Sequence, residues 1–247
     1  MYFSWVGRSI DDANDQTAGV MQYPVLLTRE RSKAEGFRDQ LIAAGLDADQ
    51  VYVSPTMGIE YVPIDLPEFE CAVLTSGHGV SALPKGFDAA GRSALCVGQR
   101  TTAAAQARGF DAECAGPKAQ DLLTRLLESP MEKALYLRGE HVSLDLAALV
   151  QNLKQAVIYR QPAQDLTVSA KNLLDGGTPV VLPLFSARSA AYLVDQLTDV
   201  GAHVAVCISE TVGALCRARG FKAILISSQP NANAMADAVY KAAYREV

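Results

Sequence analysis

Apolar residues recur along this chain in two alternating rhythms. Short, nearly continuous apolar runs occur at Val25–Thr28, Ala72–Thr75, Leu95–Val97, Ala134–Leu137, Val180–Leu184, Val204–Ile208 and Ala223–Ile226. Each is the length of a strand, and each lacks the apolar/polar alternation of a half-exposed one. Between them, apolar positions return with helical spacing near 32–44, 78–83, 101–109, 119–128, 143–153, 187–200, 211–219 and 231–245. Strands that are apolar on both faces, separated by amphipathic helices, indicate parallel sheets covered on both sides. Right-handed crossovers then predict an α/β fold of two flavodoxin-like, doubly wound parallel-sheet domains.

Two stretches break the rhythm. Residues 51–62 and 154–166 carry β-branched and aromatic residues beside Pro55 and Pro162. They read as extended linkers. Two linkers predict a chain that crosses between domains twice: residues 21–50 plus 167–247 form one domain and 63–153 the other. Two consecutive halves joined once is the simpler alternative. Residues 1–20 are polar and acidic, precede the first strand, and read as an extension or tag outside the fold.

The chain also repeats itself. Residues 95–110, LCVGQRTTAAAQARGF, align without gaps to 206–221, VCISETVGALCRARGF, with six of sixteen positions identical at an offset of 111. The runs 73–83 and 180–193 match with Ser76 against Ser186, VLLTRE at 25–30 matches LYLRGE at 135–140, and Tyr52 and Pro55 recur as Tyr159 and Pro162. Four matches in one order indicate two similar halves of roughly 110 residues.

Length and charge narrow the function. With 247 residues the chain has room for two such domains. A net charge of −5 argues against a basic nucleic-acid binder. No run approaches a membrane span. The cysteines Cys71, Cys96, Cys114, Cys207 and Cys216 are odd in number and include no CxxC pair. They read as free, mostly buried thiols in a reducing compartment, the cytosol. His78, His141 and His203 are too dispersed for a metal site: the first two sit at helix starts, the third in a strand. Neither a phosphate-loop nor a nucleophile-elbow motif is present. Nothing requires a metal, nucleotide or covalent nucleophile, so no cofactor is expected.

In open α/β sheets ligands bind beyond the carboxyl ends of strands. The residues just past the predicted strands include Thr28 and Arg29, Ser76 and Gly77, Thr101, Arg138 and Gly139, Ser186 and Arg188, and Ser209 and Thr211. Hydroxyls and glycines at helix starts offer free backbone N–H groups, and arginines suit carboxylates. Each hydroxyl has a plain alternative role as a helix cap. Together they predict a large polyanion held in an interdomain cleft, with the Tyr159 hydroxyl able to project into it or to pack one domain on the other.

The ordered set VLLTR, LTSxxGVxAL, VGxxTxxxAxxxGF, YLRGE, VIYR, FSxRSA and ISExV resembles the uroporphyrinogen-III synthases over residues 22–247. Ala187, Glu30 and Ser81 depart from residues common there. The resemblance implies two flavodoxin-like domains joined by a two-stranded β-ladder. It implies a cofactor-free, monomeric enzyme that closes hydroxymethylbilane, a linear tetrapyrrole, with loss of water and inversion of ring D through a spirocyclic pyrrolenine. By position, Tyr159 matches the residue expected to assist loss of the hydroxyl, and Thr101, Thr211, Ser76 and Ser186 match substrate-facing hydroxyls. A non-catalytic module that binds a tetrapyrrole-like polyanion is the alternative.

Overall fold

The structure is a computed structural model and describes residues 22–244; the segment read as an extension lies outside them. In chain order the elements are β1 (Val25–Leu27), α1 (Arg31–Ala43), β2 (Val51–Val53), β3 (Glu60–Tyr61), β4 (Cys71–Leu74), α2 (Gly77–Ser81), β5 (Ser93–Val97), α3 (Gln99–Ala107), β6 (Asp111–Gly116), α4 (Ala119–Glu128), β7 (Ala134–Gly139), α5 (Leu146–Leu149), β8 (Lys154–Arg160), α6 (Val168–Asp175), β9 (Val181–Leu184), α7 (Ala187–Val194), β10 (Val204–Cys207), α8 (Glu210–Ala218), β11 (Ala223–Ile226) and α9 (Ala232–Ala243). The fold is mixed α/β with parallel sheets.

The chain divides into two compact units. Among the described residues, the first takes 22–57 and 164–244; the second is Gly58–Ala163. The first unit holds a five-stranded parallel sheet in the order β11-β10-β9-β1-β2. The second holds a six-stranded sheet in the order β3-β8-β7-β4-β5-β6, parallel except for β3 at its edge.

The central strands of both sheets are buried on both faces, the physical reason they read as continuous apolar runs. In β1, Val25 and Leu27 face α1 and α9, whereas Leu26 faces the layer of α6, α7 and α8. In β4, Ala72 and Leu74 pack toward α2 and α3, and Cys71 and Val73 toward α4. The period of two splits each strand between two cores.

Both stretches read as linkers carry sheet strands, and the two pair with each other at one point. Val51–Val53 is a sheet strand, paired in parallel with β1. The first seven residues of 154–166 form β8, which pairs in parallel with β7 and, at Tyr159 and Arg160, antiparallel with β3. Exposed Lys154 and Gln155 at the start of β8 hid its strand character, while Pro55 and Pro162 fall just outside the strands they seemed to break. Strand β6, polar and at a sheet edge, and helix α6 carried too weak an apolar pattern to be expected. The helix expected over 143–153 contracts to Leu146–Leu149, and the one over 187–200 ends at Val194.

Each copy of the internal repeat is split between the two units. Its first copy contributes β1, β2, β4, β5 and β6, and its second β7, β8, β9, β10 and β11. Exchanging each strand for its repeat partner turns the order β11-β10-β9-β1-β2 into β6-β5-β4-β7-β8, which is the order found in the second unit. Leaving aside β3, added at the outer edge of the second sheet, each sheet therefore draws two strands from one copy and three from the other. Local details repeat too. Phe110 donates its N–H to the Ala105 carbonyl and Phe221 to that of Cys216, both at 3.1 Å. Each follows a glycine in the left-handed region, Gly109 at φ +103° and Gly220 at φ +94°, closing the preceding helix in the same way.

Candidate functional site at the strand carboxyl ends

Each sheet has one place where adjacent strands send their crossovers in opposite directions, the usual ligand position in such sheets. In the first unit it lies between β1 and β9, in the second between β4 and β7.

At the first of these points Thr28 is buried, its carbonyl taken by the Thr56 N–H at 3.0 Å and the Thr56 hydroxyl at 3.3 Å. That pairing aims the following residue, Arg29, whose guanidinium lies 3.8 Å above the centroid of the Phe185 ring. A guanidinium stacked on an aromatic face is weakly hydrated and directional, a good carboxylate partner. Beyond β9, Ser186 caps α7: its hydroxyl accepts the Ser189 N–H at 3.1 Å and lies 2.7 Å from the Ser189 hydroxyl. Arg188 extends along Met57, its Nε and Nη2 at 3.3 and 3.2 Å from the sulfur. One strand further, Ser209 is the cap residue of α8 and Thr211 is exposed in its first turn. The residues expected here from sequence, Thr28, Arg29, Ser186, Arg188, Ser209 and Thr211, thus all lie just past the carboxyl ends of three adjacent strands, β1, β9 and β10. Phe185 and Met57, which seat the two arginines, were not anticipated, because nothing in their local pattern separates them from core residues.

In the second unit Ser76 caps α2, accepting the His78 N–H at 3.3 Å, and Gly77 opens that helix. Tyr159 belongs to β8 rather than to a linker, and is 7% exposed. Its ring lies beside His78, centroids 5.6 Å apart, and against Gly139. A cavity of about 210 Å³ opens here, lined among others by Thr75, Ser76, Tyr136, His141, Ser143 and Tyr159. The Tyr136 hydroxyl is 3.4 Å from that of Thr75. Burial raises the Tyr136 pKa, against the Thr75 hydrogen bond, and keeps this phenol protonated. Two phenols and several hydroxyls in one half-enclosed space can donate protons and hydrogen bonds to a polar ligand.

Two expected residues behave differently. Arg138 gives its Nε to Gln155 Oε1 at 2.8 Å and its Nη1 to the carbonyls of Gly139 and Glu140, each at 2.9 Å. It braces the end of β7. Thr101 is buried in the first turn of α3, its N–H bonded to the Gly98 carbonyl at 3.1 Å. Of the thiols read as mostly buried, Cys71, Cys96, Cys207 and Cys216 are buried and Cys114 is partly exposed; burial pushes Cys71 up and Cys96 up to about 11. Among the described residues no helix is long and apolar enough to cross a membrane.

The family model described as "Uroporphyrinogen-III synthase HemD" matches residues 37–237. The chain belongs to the uroporphyrinogen-III synthase family. Two solved members of that family share the fold. The uroporphyrinogen-III synthetase of Helicobacter pylori superposes with a TM-score of 0.64 at 17% identity, covering 88% of this chain and 99% of its own. A mutant uroporphyrinogen III synthase of the extreme thermophile Thermus thermophilus superposes with a TM-score of 0.50 at 16% identity, covering 91% of this chain and 100% of its own. No curated protein matches the chain in sequence. At such low identity the likeness speaks to fold, and the roles of residues in this family member must come from its own geometry.

Proposed function

We propose that this protein is a uroporphyrinogen-III synthase: a carbon–oxygen lyase that cyclises hydroxymethylbilane, loses water and inverts ring D. Family membership supports this reading. The observation that carries the residue assignment is Tyr159, enclosed by β8, His78 and Gly139 yet lining a polar cavity at the point between β4 and β7. A phenol of pKa ~10 can protonate a departing hydroxyl, which leaves as water. The carbocation-like terminus then joins the substituted carbon of ring D, giving the spirocyclic pyrrolenine whose rearrangement inverts that ring. Arg29 and Arg188, with the hydroxyls of Ser186, Ser209 and Thr211, offer partners for the substrate's carboxylates. Hydroxymethylbilane closes unaided to the uninverted isomer, so the protein's main work is to hold the chain and exclude water.

In this reading both sheets belong to flavodoxin-like domains, the enzyme acts as a monomer, and no cofactor takes part. The experiment is a product analysis. Freshly made hydroxymethylbilane is supplied and the isomer ratio determined. Inverted uroporphyrinogen III formed faster than spontaneous closure is expected. Only the uninverted isomer at the spontaneous rate would leave a tetrapyrrole-binding module instead.

A further inference from the structure

We propose that His78 and Gly139 are positioning residues that seat the phenol of Tyr159. Gly139 ends β7 directly beneath the ring. A Cβ there would lie 2.7 Å from Tyr159 Cε2 and Cζ and 2.9 Å from Oη. The φ of Gly139 is not in the left-handed region, so backbone conformation does not demand a glycine. Space for the ring does. His78 packs against the same ring, centroids 5.6 Å apart and planes at 51°. His78 reaches this position because α2 lies close on the sheet: a Cβ at the next residue, Gly79, would meet Leu74 Cδ2 at 2.8 Å and the Leu137 carbonyl oxygen at 3.0 Å. Two glycines thus fix two distances, one under the phenol and one that brings the imidazole onto it.

The internal repeat supplies a second, independent argument. At the offset of 110 that pairs Ser76 with Ser186, Gly139 corresponds to Arg29, His78 to Arg188 and Thr75 to Phe185. The first unit places two arginines and a phenylalanine at its switch point, with Arg29 lying over Phe185. The second unit has a glycine, a histidine and a threonine at the same three places. These smaller and less charged residues leave room for the Tyr159 ring and the cavity of about 210 Å³ beside it. One fold position has been given two jobs: a cationic carboxylate grip in one unit and a seated phenol in the other.

The kinetic half of the test rests on the synthase reading; the structural half does not. Variants His78→Ala, His78→Phe and Gly139→Ala are made alone and combined with Tyr159→Phe. Protein labelled with ¹³C at the tyrosine ring carbons gives one resonance that disappears in Tyr159→Phe and so reports on that ring. His78→Ala and Gly139→Ala are expected to shift it. They should also lower kcat about 10–100-fold, since a misplacement of about 1 Å is enough for such a loss. KM should stay within about twofold, because substrate binding is not the affected step. His78→Phe, which restores a ring against the phenol, should recover most of the loss. In the Tyr159→Phe background His78→Ala should cost less than about twofold, the non-additivity expected of a residue acting through another. A Tyr159 resonance unmoved in His78→Ala would overturn the seating, as would fully additive kinetic losses. His78 is partly exposed, so this variant carries the test even if Gly139→Ala fails to fold. Wild-type protein yielding only the uninverted isomer would sink the synthase reading, and the resonance alone would then decide the seating.

Discussion

Replacing Tyr159 by phenylalanine removes one oxygen from the wall of the cavity and nothing else. Loss of a general acid costs about 10²–10⁴ in rate. At 1.36 kcal/mol per decade, that corresponds to roughly 3–5 kcal/mol in the barrier. Two features place this protein near the lower end. The cavity beside the phenol, about 210 Å³, has room for several waters at about 30 Å³ each, so a bound water can take over as a poorer donor. The leaving hydroxyl is also already activated by the pyrrole nitrogen. A fall in kcat of about 10² is therefore expected. The fold should survive, because one hydrogen bond contributes only about 0.5–1.5 kcal/mol to stability, small against the 5–15 kcal/mol typical of a domain. The assay measures kcat and KM on hydroxymethylbilane, with the isomer ratio and thermal unfolding followed in parallel. An unchanged kcat in a folded Tyr159→Phe protein would show that this hydroxyl is not the donor, and selectivity would then rest on substrate positioning alone.

Arg138→Ala should act on stability rather than binding, since its bonds to Gln155 and to the carbonyls of Gly139 and Glu140 tie the end of β7; a loss of roughly 1–2 kcal/mol in urea unfolding is expected, discounted for partial exposure. Arg29→Ala should do the reverse, raising KM with a salt dependence that the wild type shows more steeply. Thermal stability should fall as pH drops from the ordinary histidine value of 6.5 toward the lowered pKa of His203. Burial depresses it against Asp199 and Asp175, its Nδ1 accepts the Val180 N–H at 3.3 Å, and the unfolded chain takes up the proton first. His203→Asn, which can keep that acceptor, should flatten the profile below the ordinary histidine value, and an unchanged slope would assign it to other groups. Phe110→Ala and Phe221→Ala should each cost about 3–5 kcal/mol, as removal of a buried ring does; a neutral result at either would break the structural equivalence of the repeat copies.

The apolar runs at 25–28, 72–75, 134–137 and 180–184 determined the parallel sheets outright, because a strand buried on both faces cannot tolerate polar residues at either parity. Serines just past strands were legible as helix caps for an equally local reason: Ser76 and Ser186 both satisfy N–H groups within three residues. The repeat was legible as well, in matches such as Phe110 with Phe221. What no local pattern could carry was which neighbour each strand takes within its sheet. Parallel pairing joins strands far apart in sequence, such as Val25 with Val181 and Leu137 with Leu74, and only the closed cores decide which neighbour a strand takes. The same holds for function. Arg29 and Arg138 follow matched apolar runs and look alike in sequence, yet one lies over Phe185 and the other is bound to its own loop. Gly139 looks like any glycine after a strand. Its meaning comes from the ring of Tyr159, which leaves no space for a Cβ once β7 and β8 lie side by side.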